Sequence, residues 1–273
     1  MNGTDSTPWL RATGLTLSFG GVKALDGVDI ALEPGARLGL IGPNGSGKTT
    51  LLNVLSGMYR ADAGSIVIGS QEMVRTGPGR RARRGVVRTF QHPLLAPSLT
   101  LLENVMAGAR LSRRFLSAPD GPADDVRTRS AEMLDLFGCG DHVHQLPGEA
   151  PYGIRKMAEV ARAAAAGPPV LLLDEPAAGL SSSERQELVR ALKEFGDRHP
   201  RSALCLVEHD VPLVSALCDR LMVLNAGALL SSGETTAVLR DDRVRAAYLG
   251  PAAQSGGTDD SDDRSASGEK VLD

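Results

Sequence analysis

The chain has 273 residues, of which 42% are apolar and 23% charged, with a formal net charge of −3. That length fits one or two domains and that apolar share supports a buried core, while the near-neutral charge excludes a general electrostatic drive toward nucleic acid or anionic lipid. No apolar run approaches the roughly 18–20 residues that cross a bilayer, Met1–Pro8 is polar and unlike a signal peptide, and scattered Cys139, Cys205 and Cys218 suit a reducing cytosol.

From Trp9 to Ile68 short alternating or apolar runs are broken by Gly and Asp. Strands are expected at Leu15–Phe19, Val28–Leu32, Arg37–Ile41 and Ser65–Ile68. After the third comes Gly42-Pro43-Asn44-Gly45-Ser46-Gly47-Lys48-Thr49, which fits the phosphate-binding loop G-x-x-x-x-G-K-[ST]. Its glycines let the backbone curl so that N–H groups converge on a polyphosphate. Lys48 suits the β and γ phosphates, and the Thr49 hydroxyl suits Mg²⁺. Thr49–Leu55 is expected to be a helix whose N-terminal dipole favours the phosphates.

Further on, Arg80-Arg81-Ala82-Arg83-Arg84, flanked by Arg75 and Arg88, lacks the interleaved aromatics of a nucleic-acid binder. The run reads as a solvated face or a lip near an anionic membrane surface. Residues 92–160 look mostly helical. Ala163–Ala166 is strongly helix-forming and Gly167-Pro168-Pro169 stops it. His142-x-His144 has no companion ligands and reads as surface.

Val170-Leu171-Leu172-Leu173-Asp174-Glu175 is an apolar strand ending in two carboxylates. The first suits Mg²⁺, directly or through water; the second suits a general base that polarises an attacking water. Ser181-x-x-Glu184 is a capping box opening a helix to about Arg198. Ala203–Val207 reads as a buried strand, with His209 just beyond it. Leu221–Leu224 and Ala228–Ser231 flank the hairpin signal Asn225-Ala226-Gly227. Strands alternating with helices imply a parallel α/β core. Residues 251–273 are rich in Ser, Gly and Asp, the composition of a disordered acidic tail.

The phosphate loop, Gln91 in Arg88-Thr89-Phe90-Gln91, Tyr152-Gly153, Asp174-Glu175-Pro176, Ala178-Gly179-Leu180-Ser181 and Glu208-His209-Asp210 come in the order found in one family. Over residues 9–250 the chain resembles the ATP-binding subunit of ABC transporters. Arg88–His92, Ala177–Leu180 and the closing Tyr248-Leu249-Gly250 are similar to the branch that serves branched-chain amino-acid importers, with Tyr-Gly in the signature. The resemblance implies a parallel-sheet P-loop core, an N-terminal antiparallel β subdomain and a helical signature subdomain at about 92–160. It implies ATP and Mg²⁺ as ligands. Nucleotide contacts fall on Phe19 (adenine stacking), Gly42, Pro43, Asn44, Gly45, Ser46, Gly47, Lys48, Thr49, Thr50, Tyr152 and Gly153. Mg²⁺ falls to Thr49, Gln91 and Asp174; Glu175, His209 and Gln91 carry the catalytic roles.

As partners it implies transmembrane permease subunits, a second ATPase subunit or a second copy of this chain, and indirectly an extracytoplasmic solute-binding protein. The place is the cytoplasmic face of a membrane; nucleic acid is not expected. Leu94–Asn104 is where the family touches the permease, and its apolar residues read as an exposed patch.

The signature departs from the family. Ala150-Pro151-Tyr152-Gly153-Ile154 stands where Leu-Ser-Gly-Gly-Gln is usual, so a hydroxyl at 151 and an amide at 154 are lost. Ser181 replaces the usual D-loop aspartate. A second class, ABC-type ATPases of DNA repair or translation, usually carries a long coiled-coil insertion or tandem ATPase domains. One motif set and a short interval from Gln91 to Tyr152 favour the transporter reading.

Overall fold

A computed structural model describes residues 7–112 and 123–249; the expected tail at 251–273 lies outside the described residues. In chain order the elements are β1 (Leu10–Phe19), β2 (Val22–Leu32), β3 (Arg37–Ile41), α1 (Lys48–Ser56), β4 (Ala63–Ile68), β5 (Gln71–Glu72), α2 (Pro78–Ala82) and β6 (Val86–Arg88). Then come α3 (Leu101–Ser112), α4 (Ala123–Leu136), a 3-10 turn at Gly140–His142, α5 (Tyr152–Ala165), β7 (Val170–Asp174) and α6 (Ser182–Arg198). The chain closes with β8 (Ala203–Val207), α7 (Val211–Leu217), β9 (Arg220–Asn225), β10 (Ala228–Glu234), α8 (Thr235–Val238) and α9 (Asp242–Leu249).

Two sheets organise these elements: a four-stranded antiparallel sheet in the order β2-β1-β4-β5, and a six-stranded sheet in the order β10-β9-β3-β8-β7-β6. Within the second, β9, β3, β8, β7 and β6 run parallel and β10 pairs antiparallel at one edge. Strands β7 and β8 are buried throughout, so they read as continuous apolar runs rather than alternating ones. Their side chains still divide by face. Leu38, Leu40, Val170, Leu172, Cys205 and Met222 pack against α1 and the antiparallel sheet. Leu171, Leu173, Leu204, Leu206, Leu221 and Val223 pack against α3, α5, α6 and α7. The six-stranded sheet is thus the middle layer of two cores.

Most expected elements stand close to where the pattern places them. β6 has no counterpart among the expected strands. Three residues are too short for a periodicity signal, and the strand exists because Val86, Val87 and Arg88 pair in register with Val170, Leu171 and Leu172. The helix expected near Ala163–Ala166 is the end of α5, followed by Gly167 at φ 55°. Ser181 caps α6 as the sequence implies: its Oγ accepts from the Glu184 N–H, and the Glu184 carboxylate accepts from the Ser181 N–H at 2.7 Å. The reciprocal pair satisfies two N–H groups at the start of the helix.

The arginine run is corrected in part. Arg80, Arg83 and Arg84 are exposed, but Arg81 is buried. Its guanidinium donates to the carbonyls of Val54 and Leu55 at the end of α1, and to those of Met73 and Val74. A cation on the last carbonyls of a helix satisfies acceptors that have no intrahelical donor and favours the dipole. We expect Arg81→Met to lower unfolding free energy by about 1–3 kcal/mol, the cost of stranding buried acceptors. Urea unfolding measures it; an unchanged midpoint would contradict the capping role.

Candidate nucleotide site

Four parallel strands deliver the candidate residues to one edge of the sheet, the carboxyl edge where open α/β folds bind ligands. β3 runs into the phosphate loop, β6 into Thr89-Phe90-Gln91, β7 ends at Asp174, and β8 leads to Glu208-His209. Gly42 and Gly47 shape the loop. Gly42 sits at φ 151°, and a Cβ there would lie 2.2 Å from the Leu224 carbonyl oxygen; at Gly47, φ 103°, it would lie 2.5 Å from that of Ala24. Asn44 and Gly45 are exposed at the loop tip, Pro43 is half-buried, and the buried Ser46 has a hydroxyl without a hydrogen-bond partner.

Lys48 opens α1. Its Nζ donates to the Gly42 and Pro43 carbonyls at 2.8 and 2.9 Å, folding the side chain back over the loop. Burial lowers its pKa, and the nearby charges of Glu175 and Asp174 oppose that shift. The first-turn N–H groups at Lys48, Thr49 and Thr50 have no intrahelical acceptor, so the loop and the helix end present donors together. Thr49 is exposed there.

Glu175 is a non-glycine residue at φ 47°. Its N–H still donates to the Val207 carbonyl at 3.0 Å, and its own carbonyl accepts from Ala178 in the turn that follows. A left-handed conformation costs an ordinary residue about 1–2 kcal/mol. It is held by the strand before and the turn after. The carboxylate is gripped at both oxygens: His209 Nε2 lies 2.7 Å from Oε1, and Gln91 Nε2 donates to Oε2 at 3.2 Å. The structure therefore brings together Gln91, Glu175 and His209, residues separated widely in sequence.

Glu208 supports this group from below. It is buried, accepts from the Ala177 N–H at 2.8 Å and from the His209 N–H at 3.2 Å, and burial raises its pKa. It ties the turn after Glu175 to the residue that carries the imidazole. Asp174 is held differently. Its Oδ2 pairs with Arg88 Nη2 at 2.7 Å, and its Oδ1 is buried without a hydrogen-bond partner. Arg88 is thus a buried ion-pair residue, not part of a solvated arginine face.

Other candidates stand apart from this cluster. Phe19 is 48% exposed at the end of β1, edge-to-face with Tyr59 at 5.4 Å between centroids. Tyr152 and Gly153 begin α5 and pack instead against the 178–184 segment. The Tyr152 ring lies where a Cβ on Gly179 would come within 2.7 Å of it, and a Cβ on Gly153 would meet the Glu184 carboxylate. Ile154 is half-buried and packs on the apolar core, so it does not lie on the exposed signature face beside Pro151 and Tyr152.

The segment expected as an exposed apolar patch is also different. Leu94 is 56% exposed, but Leu95 packs on the core and Leu101 and Leu102 are buried. The loop is wound around the buried side chain of Asn104. Its Nδ2 donates to the carbonyls of Ala96, Leu99 and Thr100, and its Oδ1 accepts from the Ala96 N–H at 2.8 Å. One face of α5 then grips residues 90–94. Lys156 Nζ donates to the carbonyls of Phe90 and Gln91 at 3.2 and 2.5 Å, Glu159 accepts from the Leu94 N–H at 3.0 Å, and Arg162 donates to the Leu94 carbonyl at 2.7 Å. The 3-residue spacing of Lys156, Glu159 and Arg162 on a helix is the signal that could have found this grip in the sequence.

No helix among the described residues is long and apolar enough to cross a membrane. The family model described as ABC transporter matches residues 25–178. The chain is 35% identical to the high-affinity branched-chain amino acid transport ATP-binding protein LivG of Escherichia coli K12, over 90% of this chain and 100% of LivG. It is also 35% identical to the protein BraF of Pseudomonas aeruginosa, which carries the same description, again over 90% of this chain and 100% of BraF. The ADP conformation of MJ1267, an ATP-binding cassette of an ABC transporter, superposes with a TM-score of 0.75 at 28% identity, covering 90% of this chain and 100% of that one. With that match across most of the chain, and with the phosphate loop and the end of the carboxylate strand at the same edge of the sheet, the chain belongs to the ABC transporter family as an ATP-hydrolysing subunit.

Proposed function

We propose that this chain powers an importer for branched-chain amino acids or a related amino-acid or amide solute, working at the cytoplasmic face of a membrane. The observation that carries the ATPase half is the convergence of Gln91 and His209 on Glu175 beside the phosphate loop. The solute comes from the likeness to LivG and BraF. The ATPase unit spans 9–250, with a helical part at about 92–160.

Phosphoryl transfer asks the protein for positioned water and for positive or N–H groups on the phosphate oxygens. Lys48, Thr50 and the backbone of 42–49 hold the phosphates. Glu175 takes the proton of the attacking water, His209 touches the γ-phosphate, and Phe19 stacks on the adenine. The unpartnered Asp174 Oδ1 fits a divalent cation; Thr49, Gln91 and Asp174 would hold Mg²⁺, which would supply positive charge against the phosphate oxygens. Tyr152 and Gly153 close the nucleotide site of a partner ATPase, which is a second subunit type or another copy of this chain. Transmembrane permease subunits dock on the 94–104 loop, and a solute-binding protein engages them from the far side.

Leu94 is the large apolar side chain that this loop exposes, so it is the residue through which apolar contact with a permease can be tested. Leu94→Asp is expected to reduce co-purification with the permease subunits while sparing ATP binding by the free chain. Undiminished co-purification places the docking site elsewhere. The solute is tested by uptake of labelled leucine in a strain lacking this gene. Uptake should fall, return with the wild-type chain and stay low with Lys48→Ala. Unchanged leucine uptake contradicts the solute assignment.

A further inference from the structure

We propose that Arg88-Thr89 is a positioning clamp on Asp174 that leaves one carboxylate oxygen, Oδ1, free for the divalent cation accompanying the nucleotide. The inference rests on the reading above that Asp174 is a cation-holding carboxylate.

Both ends of Asp174 are held by this dipeptide. Arg88 Nη2 donates to Oδ2 at 2.7 Å, and the Asp174 N–H donates to Thr89 Oγ1 at 3.3 Å. The Thr89 N–H in turn donates to the Leu172 carbonyl at 3.0 Å, extending the β6–β7 ladder by one residue. The clamp is dry: the Arg88 and Asp174 side chains are 5% and 3% exposed. Breaking such a pair leaves an uncompensated buried charge, so the arginine fixes where the carboxylate sits before any cation arrives.

The guanidinium is itself fixed at all three nitrogens. Nη1 donates to Asn53 Oδ1 at 2.6 Å and to Ser56 Oγ at 3.3 Å, Nε donates to the Thr89 carbonyl at 3.2 Å, and the Phe90 ring lies 5.1 Å from its centre. Asn53 and Ser56 belong to α1, the helix that Lys48 and Thr49 begin. One side chain therefore sets the carboxylate relative to the helix carrying the hydroxyl candidate ligand. A lysine offers charge without the planar fork and cannot hold α1 and β7 together in this geometry. With Oδ2 occupied and Oδ1 buried without a partner, Asp174 has a single oxygen to offer.

The test compares ATP affinity of the purified chain in EDTA and in Mg²⁺, the ratio being the metal-dependent gain, with Mn²⁺ paramagnetic resonance as a second reading of the bound cation. Groups that orient a metal-binding carboxylate are typically worth about 10–100-fold in metal affinity. Arg88→Met should cut the gain by about tenfold or more and leave the affinity in EDTA unchanged. Thr89→Val should shift it in the same direction, and Arg88→Lys should fall between wild type and Arg88→Met. Asp174→Asn should abolish the gain. A gain retained in Asp174→Asn overturns the cation assignment itself. A gain lost there but kept or increased in Arg88→Met overturns the clamp alone, as does an equal loss of affinity with and without Mg²⁺. Should Arg88→Met fail to fold, Thr89→Val carries the same comparison, and an unchanged gain in it overturns the clamp.

Discussion

Glu175→Gln is expected to slow ATP hydrolysis by about 10²–10⁴-fold, the usual worth of a positioned base, while leaving ATP binding in place. The substitution keeps the shape of the side chain and its ability to accept from Gln91, so a change in folding does not account for the loss. What disappears is a carboxylate that can take a proton. The geometry makes Glu175 the natural place for that proton. It leaves the sheet in a left-handed turn, and an imidazole nitrogen 2.7 Å away is ready to orient it. Single-turnover hydrolysis by the assembled complex reads the chemical step, and fluorescent-nucleotide binding reads affinity. Turnover at the wild-type rate in the variant site means that another group removes the proton.

The second large effect is a dependence on partners. The isolated chain should hydrolyse ATP about ten- to a hundredfold more slowly than the complex with its second ATPase subunit and permease, because a hydrogen bond to a charged oxygen is worth about 1.5–3 kcal/mol. Pro151 is exposed immediately before α5 and offers neither a hydroxyl nor an N–H where the family has a serine. Two copies of this chain would each close the other's site with that deficit. The deficit falls on Pro151 alone, since Ile154 turns into the core and its missing amide is no loss to a facing nucleotide. The α5 N-terminus still presents free N–H groups, so closure is weakened rather than abolished. Steady-state ATPase of the chain alone, then with its partners, measures the ratio. Full activity in the isolated chain contradicts the deficit at Pro151.

How much of this was legible in the sequence follows from where the chemistry lies along the chain. The phosphate loop and Asp174-Glu175 are local: the strand, the turn and the reactive groups are consecutive, so spacing alone carries them. The capping box at Ser181 and Glu184 is local in the same sense. Arg88 and Asp174 are 86 positions apart. Nothing in the charge pattern separates a buried arginine from its exposed neighbours, so Arg81 and Arg88 read like Arg80, Arg83 and Arg84. Leu95 and Ile154 are hard to place for a related reason. An apolar residue in a loop or a first helical turn has no periodicity to say which way it faces, and here helices α3 and α5 decide it. The winding of the 94–104 loop around Asn104 depends on backbone carbonyls, which a sequence does not display.

This chain's own phosphate loop and Glu175 are expected to hydrolyse ATP within a larger assembly. The most direct measurement is phosphate release from γ-labelled ATP in a single turnover by the assembled complex whose second ATPase subunit carries a substituted general base. A burst of labelled phosphate is expected from the remaining site, lost when Glu175→Gln is added in this chain. Release that is absent with Glu175 intact, or that persists undiminished with Glu175→Gln, would contradict it.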